Sequence, residues 1–315
     1  MRVGFVGLGN VGGKLAGSLL RNGVALTVLD LDPEAVTRFT DAGASSASSP
    51  ADLAASADVV ITCLPSPAAS ATVMESDDGV LAGLRPGSIW MEMSTTDAAE
   101  IRRLAARAAE HGGAAVDCPV SGGCHRAATG NISIFAGCDR ATFERVLPLL
   151  TILGRQVMHV GEVGTASILK VMTNYLATAN LVSVCEALAT MDAVGVDLAT
   201  TYEAIRISSG NSFVHETESQ LILNGSRDIG FTMDLVSKDI GLFQELADRH
   251  DVALDLNPLL VRLFADAAGT YGSRAQSDDI IRRWEDASGR SITAPGFPAE
   301  LVDDEPEARG AEVRR

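Results

Sequence analysis

The sequence predicts an α/β fold in which a doubly wound sheet is followed by a long helix and an all-helical domain. Strands and helices alternate through the first half of the chain, and a glycine-rich turn follows the first strand. A long, mostly apolar segment without proline then runs from Gly161 to Glu186. The sequence beyond that segment has helical spacing.

Composition limits the classes of partner and compartment. The 315 residues are 46% apolar, enough for two domains, and the formal net charge of −16 argues against nucleic acid or an anionic membrane as a partner. Polar residues interrupt every long apolar run, so we expect no transmembrane helix. The N-terminus lacks a signal-peptide cleavage pattern, and the five cysteines are odd in number without a C-x-x-C pair. These features predict a cytoplasmic protein with reduced thiols and no metal site.

The first strand leads directly into a glycine motif. A short apolar run, Val3 to Val6, precedes the motif, and a helix followed by a strand from Ala25 to Leu29 is predicted after it. This is G-x-G-x-x-G in its Rossmann-type setting, where backbone N–H groups can approach a pyrophosphate. The alternative is a glycine turn in another α/β domain. The predicted dinucleotide-binding residues are Gly7, Gly9, Asn10, Val11 and Gly12.

Asp30 closes the second predicted strand. A carboxylate at this position can accept hydrogen bonds from both hydroxyls of an adenine ribose. No Arg follows to bind a 2′-phosphate, since the next residues are Leu31 and Asp32. The sequence therefore predicts NAD rather than NADP. The alternative is that Asp30 only begins a turn.

Two further strands end in residues that we expect near the cofactor. Residues 58–64 end in Leu64-Pro65, and residues 88–93 are followed by Ser94-Thr95. The carboxyl ends of parallel strands line the ligand crevice. The alternative for Ser94-Thr95 is an N-cap for the helix predicted from Asp97.

A strand over residues 115–117 is followed by Ser121-Gly122-Gly123. A hydroxyl beside two glycines offers several backbone N–H groups and can form an anion nest for a carboxylate, although a plain turn is equally compatible. Strands over 132–136 and 156–160, on either side of a helix, predict an antiparallel extension of the sheet.

The long apolar segment carries Lys170 and Asn174, which lie on one face of a helix, one turn apart. The chain has three lysines against 22 arginines, so a lysine in an apolar segment is unusual here. Because Lys can lose its proton when desolvated and Arg cannot, Lys170 is a candidate general acid or base. The alternative is an exposed Lys and Asn on an ordinary helix.

The predicted domains are residues 1–162 for dinucleotide binding and 163–300 for the long helix plus an all-helical substrate and dimerisation domain. Residues 301–315 are charged and nearly lack aliphatic side chains, so we expect a disordered tail. Lys238, beside Asp239 near the start of a helix, is the third lysine of the chain.

Four segments together resemble the β-hydroxyacid dehydrogenase family, which includes 3-hydroxyisobutyrate dehydrogenase and tartronate semialdehyde reductase. In chain order they are GLGNVGGKLAGSLLRNG, DCPVSGGCHRAATGNISIFAG, GEVGTASILKVMTNYL and SKDIGLFQELA. The resemblance implies a catalytic Lys170, a substrate-orienting Asn174, a carboxylate-binding Ser121-Gly122-Gly123 and a cofactor-side Lys238. The chain departs from the family pattern at Val11, Ala166 and Thr173, which usually are Met, Gly and Asn.

The expected function is NAD-dependent hydride transfer between nicotinamide and a small 3-hydroxyacid or its semialdehyde, in a homodimer or homotetramer. Two alternatives are an inactive NAD-binding protein of the same fold and a reductase of C=N or other carbonyl substrates. Retention of Lys170, Lys238 and Asn174 argues against the first, and Lys170 argues against the second. Cys118 and Cys124 flank the nest, but only His125 stands near enough in sequence to act as a base, so we do not favour a thiol nucleophile. His125 and Arg126 either line the pocket mouth or face solvent.

Overall fold

The protein, described over residues 1–314 by a computed structural model, folds into two compact units. The first unit comprises Met1–Lys170 together with the C-terminal segment that begins at Asp303. The second unit comprises Val171–Val302.

Ten strands belong to the first unit. They are β1 (Arg2–Val6), β2 (Ala25–Leu29), β3 (Ser45–Ser46), β4 (Val59–Thr62), β5 (Ile89–Glu92), β6 (Ala114–Asp117), β7 (Val120–Ser121), β8 (Ile132–Gly137), β9 (Gly154–Gly161) and β10 (Ala311–Glu312).

The helices of the first unit are α1 (Gly12–Arg21), α2 (Pro33–Asp41), α3 (Pro50–Ser56), α4 (Pro67–Glu75), α5 (Val80–Gly83), α6 (Ala98–Glu110), α7 (Gly123–Thr129) and α8 (Arg140–Leu153). Helix α9 (Thr165–Ala193) begins in the first unit and continues into the second. The second unit adds α10 (Leu198–Arg206), α11 (Phe213–Asn224), α12 (Met233–Arg249), α13 (Leu256–Tyr271), a 3₁₀ turn (Ser277–Ile281) and α14 (Arg282–Ser288).

The sheet is mostly parallel, in the order β10-β9-β8-β6-β5-β4-β1-β2-β3, with β7 paired to β8. The six strands from β6 through β5, β4, β1 and β2 to β3 are parallel to one another. Strand β8 runs antiparallel to β6, and β9 and β10 run parallel to β8. The predicted α/β class, with its antiparallel extension and following helical region, is confirmed.

Both faces of the sheet are buried, because alternate residues of the central strands enter different apolar clusters. On β4, Val59 and Ile61 pack into one cluster while Val60 packs into the other. On β5, Met91 and Trp90 divide in the same way. Side chains that alternate between two covered faces are typical of a doubly wound sheet. Its strand ends therefore form a rigid frame for the loops that follow them.

Helix α9 supplies the central apolar stripe of the second unit. Leu181, Cys185 and Leu188 are buried there and share a cluster with Phe264. By length and composition α9 could cross a membrane, but a core helix satisfies the same criteria. Ala166, which stands where the family pattern has glycine, is fully buried in the first turn of α9.

The C-terminal segment is ordered, which corrects the expectation of a disordered tail. Strand β10 pairs with β9, and the backbone N–H of Val313 donates to the Val157 carbonyl at 2.8 Å. Glu312 forms an ion pair with Arg140 at 2.5 Å. Glu307 accepts a hydrogen bond from Asn22 on α1 at 2.9 Å. Composition predicted disorder because the segment has few aliphatic side chains to bury, whereas backbone pairing and ion pairs hold it in place.

Candidate active site

Three glycines shape the loop between β1 and α1, each for a different reason. Gly7 has φ of +97°, a conformation that L side chains rarely adopt. A Cβ on Gly12 would lie 2.1 Å from the Gly7 carbonyl oxygen, so Gly12 permits close packing of the helix start. A Cβ on Gly9 would meet nothing within 4 Å. Since neither backbone strain nor protein packing requires a glycine at position 9, this open position fits the close approach of a ligand.

Asn10 and Val11 complete the turn into α1. Val11 is the N-cap residue, and its carbonyl oxygen accepts the backbone N–H groups of Lys14 and Leu15 at 3.0 Å. No side chain caps this end of α1, so its first N–H groups suit an anion.

Asp30 lies against the glycine loop. One carboxylate oxygen accepts a hydrogen bond from the backbone N–H of Leu8, and the other accepts one from Asp32 at 2.8 Å. The carboxylate is therefore fixed between the end of β2 and the loop. Its remaining acceptor positions can serve ribose hydroxyls, because each carboxylate oxygen accepts more than one hydrogen bond. The ends of β1 and β2 thus bring together the residues that are predicted to bind the pyrophosphate and the ribose.

The ends of β4 and β5 are joined by a hydrogen bond between two predicted cofactor residues. The backbone N–H of Leu64 donates to the Ser94 hydroxyl at 2.7 Å. Ser94 in turn donates to Glu92, a buried carboxyl whose pKa is raised by burial. The cap of α6 is Asp97, which accepts from Ala99 at 2.8 Å, so Ser94-Thr95 does not cap that helix. Pro65 and Thr95 follow the two bonded residues directly, on the loops beyond β4 and β5.

Ser121, Gly122 and Gly123 connect β7 to α7. Ser121 ends β7, while Gly122 and Gly123 have φ of +129° and +84°. Two successive positive φ values turn the backbone sharply, and successive backbone N–H groups in a turn can form an anion nest. Side chains of α7 close over the glycines, because Arg126 Cδ would lie 3.4 Å from a Cβ on Gly122. His125 and Arg126 are half-buried, and burial lowers the pKa of His125.

Lys170 is buried, with 8% of its surface exposed, near the start of α9. Asn174 follows one turn later on the same helix. A buried amine on a rigid helix is held in one place, and its proton can be exchanged only with groups that reach it.

Asn174 is oriented by a residue that sequence reasoning did not single out as functional. Within the second unit its side-chain amide donates to Asp239, whose other oxygen accepts Lys238 Nζ at 2.6 Å. Asp239 is buried on α12. An ionised carboxylate only accepts hydrogen bonds, so Asp239 must face the NH₂ group of Asn174. The sequence does show the Lys238-Asp239 pair, but its pattern pointed to Lys238 alone as a functional residue.

Asp117, at the end of β6, is a second residue that sequence reasoning missed. Its carboxylate is buried and accepts hydrogen bonds from Gly164, which directly precedes α9, and from Ser167 in the first turn of α9. The thiol of the next residue, Cys118, is also buried, and burial raises its pKa well above the ordinary value. A buried thiol is a poor nucleophile.

Two family models match the chain. The NAD binding domain of 6-phosphogluconate dehydrogenase matches residues 2–161. The model described as NAD-binding of NADP-dependent 3-hydroxyisobutyrate dehydrogenase matches residues 164–284. A nicotinamide dinucleotide is therefore the cofactor to which this fold and the glycine loop correspond.

Curated relatives align over most of the chain. 2-(Hydroxymethyl)glutarate dehydrogenase of Eubacterium barkeri is 32% identical over 294 residues, covering 93% of this chain and 98% of the relative. NAD-dependent L-serine dehydrogenase of Pseudomonas aeruginosa is 35% identical over 270 residues, covering 84% and 91%.

Solved structures of hydroxyacid dehydrogenases are similar to this chain over most of its length. 3-Hydroxyisobutyrate dehydrogenase of Salmonella typhimurium superposes with a TM-score of 0.83 at 28% identity, covering 90% of this chain and 99% of that one. An imine reductase of Myxococcus stipitatus has a TM-score of 0.63 at 19% identity, over 90% of this chain and 99% of that one, and shares the fold alone.

Proposed function

The chain belongs to the β-hydroxyacid dehydrogenase family, and we propose that it oxidises a small 3-hydroxyacid, or reduces the corresponding semialdehyde, with NAD. Members of this family are NAD-dependent dehydrogenases that act on the CH–OH group of hydroxyacids. The bound nicotinamide supplies the hydride acceptor. The residues of this chain supply binding, orientation and proton transfer.

Asp30 supports the proposal of NAD rather than NADP. Its carboxylate is held beside the glycine loop by Leu8 and Asp32, where a 2′-phosphate would meet like charge. Ribose hydroxyls can instead donate to it. Gly7, Gly9 and Gly12 would accommodate the pyrophosphate, with Leu64, Pro65, Ser94 and Thr95 on the neighbouring strand ends and Lys238 assigned to the cofactor by the family resemblance.

The substrate carboxylate is assigned to Ser121-Gly122-Gly123. Backbone N–H groups in this turn can bind an anion without adding a formal charge. In a chain with a net charge of −16, such a site offsets general repulsion of an acidic substrate. Asn174 is assigned to the reacting hydroxyl, and Asp239 fixes which side of its amide is presented.

Lys170 carries the proposal. As a free amine, its Nζ accepts the hydroxyl proton when the substrate is oxidised, and as an ammonium it returns a proton to the oxygen in the reverse direction. The observation behind this role is its burial at the start of α9, in a chain where arginine supplies nearly all other positive charge. Arginine could not exchange a proton at this position.

A panel of short 3-hydroxyacids with NAD tests the proposal, with NADH formation followed by absorbance. At least one acid should be oxidised, and the matching semialdehyde should be reduced by NADH. Oxidation of none of the acids, with intact NADH binding, would favour an inactive NAD-binding protein. Turnover of cyclic imines alone would favour a C=N reductase.

We propose further that the protein is a cytoplasmic homodimer or homotetramer without a membrane or nucleic-acid partner. Exposed apolar side chains on the second unit, including Leu176, Phe213, Leu256 and Leu259, support self-association. The five cysteines are thiols rather than disulfides, which suits a reducing compartment. Light scattering after gel filtration measures the oligomeric state, and a monomer would contradict this part of the proposal.

A further inference from the structure

We infer that Asp117 is a positioning residue that fixes Lys170 relative to Ser121-Gly122-Gly123, the proposed binding site of the substrate carboxylate. This inference rests on the proposed function of Lys170. It concerns a carboxylate that touches neither substrate nor cofactor in that proposal and acts through the first turn of α9.

Asp117 caps the lysine helix from outside. Helix α9 begins at Thr165, so its first N–H groups lack partners within the helix. One Asp117 oxygen accepts the backbone N–H groups of Gly164 and Ser167 at 3.0 and 2.8 Å. The other accepts the Ser167 hydroxyl at 2.7 Å. Three hydrogen bonds to one carboxylate fix this turn in position and in rotation about the helix axis.

The surrounding residues admit little movement of this turn. Gly137, the register partner of Asp117 on the neighbouring strand, allows the entry to α9 to approach closely, because a Cβ there would lie 2.8 Å from the Glu162 carbonyl oxygen. On another side, Arg102 Nε donates to the Val163 carbonyl at 3.1 Å. The segment that leads into α9 is thus held from two sides.

The same carboxylate connects two parts of the proposed site. Asp117 ends β6, and Ser121 follows only four residues later. Ser167, in turn, precedes Lys170 by three residues, so the two lie on one side of α9. A rotation of the first turn would therefore move the amine away from a substrate held at Ser121. A displacement of about 1 Å can cost on the order of 10²-fold in rate.

Burial raises the pKa of Asp117, whereas the hydrogen bonds from Ser167 and Gly164 oppose that rise. Such a buried acceptor is costly unless its partners are in place. The first turn of α9 therefore stays against Asp117, since moving it away would leave the buried carboxylate without its hydrogen-bond donors.

The matched control is Asp139, which caps α8 by the same chemistry. It accepts the backbone N–H of Thr142 at 2.9 Å and the Thr142 hydroxyl at 2.6 Å. Asp139→Asn makes the same carboxylate-to-amide change at a helix N-terminus, so it should reproduce the stability cost of that change without moving Lys170. Ser167→Ala removes one of the three bonds to Asp117, and Ser167→Thr restores a hydroxyl.

Steady-state kinetics and NADH fluorescence titration of the full-length variants test the inference. We expect Asp117→Asn to lower kcat by roughly 10 to 10²-fold and Ser167→Ala by a smaller factor, with NADH affinity within about twofold of the unmodified protein. Ser167→Thr should recover most of the loss. If Asp117→Asn and Ser167→Ala lower kcat no more than Asp139→Asn does, the positioning role is wrong. Should Asp117→Asn not fold, the Ser167 pair decides.

A readout independent of turnover separates this inference from the proposed function. Acetic anhydride labels amines, and mass spectrometry gives the rate at Lys170 against that at Lys14 in the same molecule. We expect Asp117→Asn to change the Lys170 rate at least about threefold, with Lys14 unchanged. If the unmodified protein oxidises no 3-hydroxyacid, the proposed function fails and labelling alone decides the role of Asp117. An unchanged Lys170 rate would then overturn it.

Discussion

The carboxylate of Asp239 accepts a hydrogen bond from the side-chain amide of Asn174. Because Asp239 also accepts Lys238 Nζ at 2.6 Å, its position is fixed from two sides. The amide of Asn174 therefore has one favoured orientation, with its NH₂ group toward α12. An amide without such a neighbour could present either side to a substrate hydroxyl.

Replacing Asp239 by Asn should impair substrate orientation more than cofactor binding. An amide at position 239 can donate as well as accept, so Asn174 is no longer forced into one orientation. We expect kcat/KM for the acid to fall by about 10 to 10²-fold, the loss of one oriented polar contact. Asp234→Asn, on the same helix but more exposed, is the control. Equal losses in the two variants would contradict this role for Asp239.

Asp30 should determine the choice between NAD and NADP. Asp30→Ala removes the negative charge that faces a 2′-phosphate and the acceptor for ribose hydroxyls. We expect weaker NAD binding and a preference for NAD narrowed by roughly 10-fold or more. The measurement is kcat/KM with each cofactor. Equal or better efficiency with NADP in the unmodified protein would refute the assignment.

Buried Asp278 and half-buried Glu218 should make the protein less stable at alkaline pH. Burial raises the pKa of Glu218 to about 7 and, together with the neighbouring Glu218 charge, that of Asp278 to about 8. Arg227 opposes the rise at Asp278, and Asp279 adds to it. In the unfolded chain both groups ionise near pH 4, so only the folded state resists ionisation. Stability is fully present below that pH and declines as pH rises through about 8.

Asp278→Asn should therefore flatten the pH dependence of unfolding in urea. The free energy of unfolding should gain about 1–3 kcal/mol near pH 9 and change less near pH 5. Asp266→Asn, an exposed acid in the same unit, provides the comparison. A parallel, undiminished decline in Asp278→Asn would show that this pair does not cause it.

The positions of most helices and strands and the glycine loop could be predicted because each depends on local pattern. The proposed role of Asp30 also rests on a local feature, its place at a strand end. Asp239 and Asp117 could not be found in this way, since Asn174, which Asp239 orients, and Gly164 and Ser167, which Asp117 holds, lie far from them in sequence. The prediction of a disordered tail over residues 301–315 failed for a different reason. The ordering of the tail depends on the exposed edge of β9 and on Arg140, which no local composition reveals.

Gly310 should be necessary for docking of the tail. A Cβ at this position would lie 1.8 Å from the Gly154 carbonyl oxygen, and its backbone N–H donates to Thr151 at 2.8 Å. Gly310→Ala should lower the free energy of unfolding of the first unit by about 1–3 kcal/mol. Gly210→Ala, in a loop with space for a methyl group, should change it by less than about 0.5 kcal/mol. Equal stability of the two variants in urea would show that the tail contributes little.

Lys170→Arg tests the central claim most directly. Arginine keeps the positive charge and most of the reach but cannot exchange a proton at usable pH. In the unmodified protein, oxidation should rise with pH as the amine becomes free. We measure kcat for oxidation across pH, with Lys14→Arg, an exposed lysine on α1, as control.

For Lys170→Arg we predict a loss of kcat of roughly 10²–10⁴-fold with NADH affinity preserved, while Lys14→Arg remains near normal. A Lys170→Arg protein with near-normal kcat would show that charge alone suffices at this position, and proton transfer by Lys170 would be contradicted.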